Sequence, residues 1–588
     1  MNTIEKDATG DPFSDAVTAT VIRSAMETVC FEMATYVSRT ATTPILNQSN
    51  ERNATILGPT GRLAALSVGI PQFMLSSTLP VRFAAEFFDG ELYPGDVLLA
   101  NDPYHGGGHL PDVNVFSPVF GPDGELMLFA SIQCHHGDTG GAMAGGYNVF
   151  AKDIWSEGVR YPCLKLVDEG KERRDVVLMM RANNRLPGFI GDLRSQVGAA
   201  QLGARRLTEI IADYGVDTVR AAVDWSISDA ERRFAEEISR WPDGVYTADV
   251  YVDSDPAGNL DIHVHVAITV EGDRLIIDFD GSDTRPDIKA WSTFGNTRGN
   301  VIAQLASLVD PSIPKNEGFF NCIDLRVPEG CCLNPTEGKP VSSGTHHPGV
   351  EVGDAIAIAM SKILPDRCCP QSYKFGSPRQ MWGEHDPRTG KSFFDHGGEV
   401  SAGWVSAVKG TDGWGALSAS NGNLIKASAE INEQLFPHIL RGRNYRTDSG
   451  GPGEWRGGCG SNFVKEARTP TYVNQYVVNQ KHTHPGIAGG HNGSPDHCMV
   501  GTTEVGVYAV SAELLESGDR LVYDFGGGGG WGDPLARAPQ AVLDDVWDEY
   551  VSIDAALRDY GVVITGALDD MTLAVDQEAT TLERKTRR

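Results

Sequence analysis

The sequence predicts a mixed α+β fold of several domains: an N-terminal α/β region bearing a metal-ligand cluster, then β-rich domains with glycine-rich loops. Three observations carry this. The 588 residues, 41% of them hydrophobic, suffice for several cores and about three to four domains. Apolar spacing is helical near the N terminus and between residues 175 and 215, and alternates from Gly244 onward. Glycine then gathers in the stretch from Asp448 to Gly460 and in Gly526-Gly-Gly-Gly-Gly-Trp-Gly-Asp-Pro534, as the tight loops of a β domain require. The expected division is 1–240, 241–440, 441–540, and 541–588 as a C-terminal helix and flexible tail.

Taken in order, Val17, Val21, Ala25, Val29, Met33 and Val37 stand four apart and predict one helical stripe over Ser14 to Thr40, with Ser14 as its N-cap. Asp96 to Ala100 reads as a strand leading into a glycine-rich loop. Val113–Phe120 and Glu125–Ile132 flank Gly121-Pro-Asp-Gly124, a tight-turn sequence, and predict a hairpin. Residues 175–215 read as mostly helical and stop at Gly215. Tyr246–Val252, Ile262–Val266 and Arg274–Phe279 alternate as antiparallel strands do. A helix over Val352–Leu364 ends at Pro365, and 541–559 resumes a helical pattern before about 20 weakly structured residues.

A formal charge of -28 excludes nucleic acid and anionic membrane as partners, since both demand a basic surface. The chain holds no run of about 18 apolar residues and no signal-peptide pattern at its start, so a cytoplasmic protein is expected. Ten cysteines without CxxC spacing agree with a reducing compartment. No GxxxxGK[ST] follows the pentaglycine and no GxGxxG opens a helix, so the chain offers no nucleotide site and any ATP chemistry falls to another subunit. The pentaglycine is expected to be a close crossing of backbones.

The hairpin is the chemical centre of the sequence. With Phe120 and Glu125 as the closing pair, opposed positions sum to about 245, which sets His109 across from His136 and Asp112 across from Gln133. Opposed side chains lie roughly 5 Å apart at Cβ, so two imidazoles and a carboxylate converge on one ion, and a one-residue slip exchanges His135 for His136. Nitrogen with oxygen donors suits zinc, manganese or ferrous iron, with a position left open for water. The same residues also serve as hydrogen-bonders at strand ends, and that reading stays open. Thr345-His346-His347-Pro348 precedes the helix at 352 and reads equally as substrate contact or as a capping loop. His263 and His265 share one strand face and are assigned to its solvated side. His385-Asp386, Asp395-His396 and His482-Thr-His484 are read as structural.

Four motifs in order resemble the hydantoinase B/5-oxoprolinase family: Asn101-Asp-Pro-Tyr-His-Gly-Gly-Gly-His-Leu-Pro-Asp-Val113, the strand into His135-His136-Gly-Asp138, the stretch Asp448 to Gly458, and Phe525 to Pro534. The resemblance implies a B-type subunit working with a hydantoinase A-type partner that binds ATP and Mg and phosphorylates an amide or enol oxygen. It implies a divalent metal on this chain held by His109, Asp112 and His135, with Glu51 standing where the family generally has aspartate. A divalent ion lowers the pKa of bound water from about 15.7 toward about 7. His136 and Asp138 then become candidates for orienting that water or moving its proton, and His346 and His347 for touching substrate. The activity implied first is ATP-dependent ring opening of a hydantoin, lactam or 5-oxoproline-like ring in a hetero-oligomer. The alternatives are a subunit of an ATP-dependent ketone carboxylase, suggested by the departures at 345–348 and at Phe394-Asp395-His396, and a non-catalytic scaffold for the ATPase partner.

Overall fold

Strand alternation and helix periodicity account for most of the first unit in the computed structural model. The structure describes residues 16–66, 69–148, 150–370, 374, 380–396, 405–414, 422, 425–475, 477–505 and 510–587. The expected N-cap Ser14 lies outside them. The chain gathers into two units, one of residues 1–245, 268–280 and 291–345, the other of 246–267, 281–290 and 346–588. The crossing at 245/246 falls close to the expected boundary at 240. The three later stretches, expected as separate domains, gather mainly into the second unit, because the chain returns twice to the first.

In the first unit seven strands form one antiparallel sheet: β1 (Arg52–Leu57), β2 (Leu63–Leu66), β3 (Val97–Ala100), β4 (Asp112–Phe120), β5 (Leu126–His135), β6 (Leu164–Asp168) and β7 (Lys171–Glu172), in the order β2-β1-β5-β4-β3-β6-β7. One face packs on helices α1 (Ala16–Thr40) and, further along the chain, Phe189–Tyr214. Ala54, Ile56, Val113, Val115, Ala130, Ile132 and Cys134 point that way and join Met26, Met33, Leu193 and Leu207 in one core. The opposite face carries Leu57, Leu98, Phe116 and Phe129 against α2 (Thr78–Phe87), which supplies Val81 and Ala84. Period-two alternation thus sorts the hairpin's side chains into two environments.

Helix α1 buries Ile22, Met26, Val29, Met33 and Val37, while Val17 is 69% and Val21 46% exposed. The expected stripe holds only in its C-terminal half. A strict four-residue spacing drifts around a helix of 3.6 residues per turn, and the buried face follows the true period. The helix α3 (Phe189–Tyr214) ends on Gly215 at φ 86°, as expected, and is followed by α4 (Val216–Ile238). After it, the middle of strand β8 (Gly244–Ser254) and most of β9 (Leu260–Glu271) alternate buried and open positions. The strand β10 (Arg274–Asp278) pairs in parallel with β11 (Ile323–Arg326), a strand the alternation does not mark. Between them α5 (Phe294–Ala306) lies against the short helix Pro71–Ser76. A Cβ on Gly299 would stand 2.1 Å from the Gln72 carbonyl oxygen, so only glycine admits this approach.

In the second unit the helix α6 (Gly349–Ser361) begins three residues earlier than the pattern indicates. Two antiparallel sheets follow, of five and four strands, sharing a core of Met381, Phe463, Val473, Leu521, Tyr523 and Phe525. The pentaglycine is threaded through backbone, in agreement with its sequence: a Cβ on Gly527 would lie 2.0 Å from Ser449 O, and one on Gly529 2.0 Å from Pro485 O. Helices Pro539–Trp547, Ile553–Tyr560 and Gln577–Arg587 close the chain, so the segment expected to be a flexible tail ends in a helix. Among the described residues no helix is long and apolar enough to cross a membrane.

Candidate metal centre

The hairpin of β4 and β5 closes on a longer turn than its sequence suggests. Gly121 N donates to Glu125 O, and Phe120 opposes Leu126 rather than Glu125, with a bulge between Val119 and Phe120. Each of these moves the register by one residue. Asp112 therefore opposes His135, not Gln133, and the expected pairing of His109 with His136 is replaced. The net shift is two, so every side chain keeps its face while changing its partner. Asp112 and His135 fall on the α2 face. His136, just past the end of β5, lies on the α3 side, where its Nε2 is 2.6 Å from Gln196 Oε1 and its ring meets Phe189 edge-on.

His109 reaches the pair from the loop before β4. Asp112 N donates to His109 O in a tight turn, and a Cβ on Gly108 would come within 2.7 Å of Asp112 Oδ2, so the loop needs glycine there. Asn101 fixes the loop's base: its amide donates to Leu110 O and Val159 O, and its Oδ1 accepts from Tyr161 N. Asp102 accepts from Arg160 Nε and Nη2 and from Tyr104 N. The Thr293 hydroxyl, ahead of α5, donates to Gly107 O or Gly108 O. A cavity of about 360 Å³ lies beside this loop, lined by Leu79, Phe83, Tyr104, His105, Thr293 and Phe294.

His109, Asp112 and His135 are buried, and one ligand atom from each lies within 4.8 Å of the others. His109 Nδ1 is 2.6 Å from Asp112 Oδ2, and His135 Nδ1 is 3.3 Å from Asp112 Oδ1. The Tyr147 hydroxyl is 2.8 Å from His109 Nε2. Burial works to raise the Asp112 carboxyl, but His109 and His135 outweigh it and hold it below the ordinary range. Burial depresses His135 to about 4 in spite of its bond to Asp112, so its imidazole is neutral at pH 7, the form that ligates a metal. Glu51 stands 3.8 Å from His135 Nδ1 and is pushed up to about 8 by burial and by Asp112. Two imidazoles, one carboxylate and a second carboxyl facing the same ring form a donor set that fits a borderline divalent ion.

Asp138 sits just beyond the cluster and organises its loop. Its Oδ1 accepts from Gly140 N, Gly145 N and Arg185 Nη1, and its Oδ2 from Arg185 N. That bracing presents Tyr147. Residue spacing gives no sign of Tyr147, because the irregular loop 139–146 alone brings it back to His109; the glycines at 140, 141, 145 and 146, all at positive φ, are the only local signal. Gln196 likewise has no signal in the sequence, since it comes from the middle of α3. His346 and His347 lie in the second unit. His347 Nδ1 is 3.0 Å from Glu351 Oε1 in the first turn of α6, and both are buried; the N-cap of α6 is Pro348, with no side-chain cap. Lys374 Nζ lies 3.4 Å from Asp354 Oδ2 and 3.9 Å from Glu351 Oε1.

The hydantoinase B/oxoprolinase family model matches residues 15–534. The beta subunit of caprolactamase from Pseudomonas jessenii is 30% identical over 571 residues, covering 94% of this chain and 97% of that protein. The B subunit of a putative D-/L-hydantoinase from Pseudomonas sp. (strain NS671) is 28% identical, covering 97% and 98%. The 5-oxoprolinase 1 of Arabidopsis thaliana is 26% identical, and this chain spans 42% of its length. The crystal structure of ATP-dependent caprolactamase from Pseudomonas jessenii superposes with a TM-score of 0.88 at 29% identity, covering 97% of this chain and 99% of that one. Nucleotide-free acetone carboxylase, at 19% identity and a TM-score of 0.86 over 98% and 83%, shares the fold. The chain belongs to the hydantoinase B/oxoprolinase family.

Proposed function

We propose that this chain is the metal-bearing subunit of an ATP-dependent cyclic amide hydrolase, opening a lactam, hydantoin or 5-oxoproline-like ring after a hydantoinase A-type partner has phosphorylated the ring's amide oxygen. The reading rests on one observation, the buried convergence of His109, Asp112 and His135, found in a chain matched almost end to end by the beta subunit of a caprolactamase. That two relatives are named as single subunits, one beta and one B, supports assembly with a partner.

In this reading His109, Asp112 and His135 hold one zinc, manganese or ferrous ion, with Glu51 beside His135 as a further oxygen donor. Such an ion, when bound, polarises a carbonyl or acidifies water at neutral pH. The chain's own residues prepare that chemistry. Asp112 holds both imidazoles in place, and Tyr147 fixes the outer edge of His109. Asp138 braces the loop that carries Tyr147 and acts through it. His136 anchors β5 to α3 through Gln196, a positioning role. The cavity beside Tyr104 and His105 has the volume of a small-ligand pocket and is where a ring substrate would enter.

The test is turnover of the complex with its A-type partner. ATP cleavage should depend on a cyclic amide and release the open-chain amino acid without bicarbonate. Bicarbonate-dependent turnover of a ketone would replace this reading with the carboxylase, and ATP cleavage unaffected by His109→Ala would leave only a scaffold.

A further inference from the structure

We propose that the hairpin of β8 and β9 carries a second transition-ion site, formed by Asp249, His263 and His265, that takes zinc or a similar divalent cation. The residues belong to the second unit and share nothing with the cluster at His109. His263 and His265 stand two apart on β9 and so face one side, and Asp249 comes from β8, the adjacent strand across a five-residue connection. One ligand atom from each lies within 4.8 Å of the others. His263 Nε2 is 2.7 Å and His265 Nδ1 2.8 Å from the same oxygen, Asp249 Oδ1.

The imidazoles are held for this task by their surroundings. The Tyr251 ring stacks on His263 at 4.9 Å and 19°, and also on His482 at 5.0 Å and 27°. His265 N donates to Ser282 Oγ and Asp283 N donates to His263 O, so the segment 281–283 pins the backbone of both ligands. The His265 ring lies over Gly281, where a Cβ would touch it at 3.6 Å. A donor set preset on paired strands binds a cation without first ordering its ligands. Two nitrogens and one carboxylate oxygen suit zinc, and magnesium or calcium would want oxygen alone. Exposure of 31% at His263, 25% at His265 and 51% at Asp249 leaves a coordination position open to water or to a ligand from solution. The site therefore exchanges with free metal, in contrast to the buried cluster. Nearby charge is already matched: Asp261 pairs with Lys481 and His482, and Asp283 with Arg285.

Zinc titration of the full-length protein against a chromophoric chelator tests the proposal, using wild type, the double variant His263→Gln/His265→Gln, and His109→Ala. The double variant should lose one equivalent of zinc. His109→Ala should keep that equivalent and, loaded with cobalt in place of zinc, should show a visible d–d band that the double variant combined with His109→Ala lacks. Zinc binding by the double variant equal to wild type in number and affinity overturns the site. If His109→Ala binds as wild type while the double variant loses an equivalent, the first cluster fails and this one stands. Should the double variant not fold, Asp249→Asn takes its place with an expected loss of at least tenfold in affinity; unchanged affinity overturns the proposal.

Discussion

At the level of single residues, burial and charge set the protonation of the cluster. His135 is kept neutral and Asp112 ionised, so neither has to shed a proton to bind. His109→Ala should therefore lose the one equivalent of metal held by the buried cluster, read by elemental analysis, and with it turnover of the complex. Tyr147→Phe removes one hydrogen bond to His109 and should lower metal affinity or turnover by about 10- to 100-fold with the fold intact, as loss of an outer-shell partner does; a variant with wild-type values would show the Tyr147 contact to be idle. Gln196→Ala separates the two histidines of the pair. It takes one partner from His136 and from the carbonyls of Val113 and Ile132, and should cost about 1–3 kcal/mol of stability while metal content stays unchanged. The proposed ligands are legible in the sequence because imidazole and carboxylate are rare buried groups at strand ends. Tyr147 and Gln196 are not, being ordinary residues given their roles by distant contacts.

Elements show where local pattern is enough and where it fails. Alternation along β4 and β5 assigns every side chain to its correct face, yet it misplaces the partner of Asp112 by two positions, because a bulge and a five-residue turn leave no mark in hydrophobicity. The pentaglycine is legible for the opposite reason: no other residue tolerates backbone on all sides. Gly529→Ala should destabilise the protein by roughly 3 kcal/mol or more, measured by denaturant unfolding, because its Cβ would meet Pro485 O with nowhere to move. Asp395, which the sequence pairs only with His396, forms an ion pair with buried Lys465 and lies 3.1 Å from His438 Nδ1. Its carboxyl is held far below the usual range: burial opposes ionisation, but Lys465 and His438 overcome it. Asp395→Ala takes the carboxylate from a buried ammonium and should cost about 3–5 kcal/mol in the same unfolding measurement.

For the molecule as a whole, a net charge of -28 confines its partners to surfaces that are not themselves strongly acidic. Stability should depend on pH through Asp496, a buried carboxyl that accepts from Asn479, Gly526 N and Tyr523. Burial pushes it up to about 7 against these hydrogen bonds, while in the unfolded chain it titrates at its ordinary 3.8. The folded state thus holds more protons between those values. Its contribution to stability is fullest below pH 4 and declines as pH rises to 7, by at most about 1.4 kcal/mol per unit. Thermal melts of Asp496→Asn should lack that part of the slope; an unaltered slope would assign it elsewhere. Periodicity and residue chemistry are local properties, so the amino-acid order alone is enough for the class of fold, the faces of the strands and the residue types of the proposed site. It is the folded chain that selects the histidine meeting Asp112 and the tyrosine closing on His109, and that gives two histidines of a solvated strand face one shared aspartate. Those outcomes depend on turn length, bulges and returning loops, which bring together residues whose separation along the chain carries no record of their meeting.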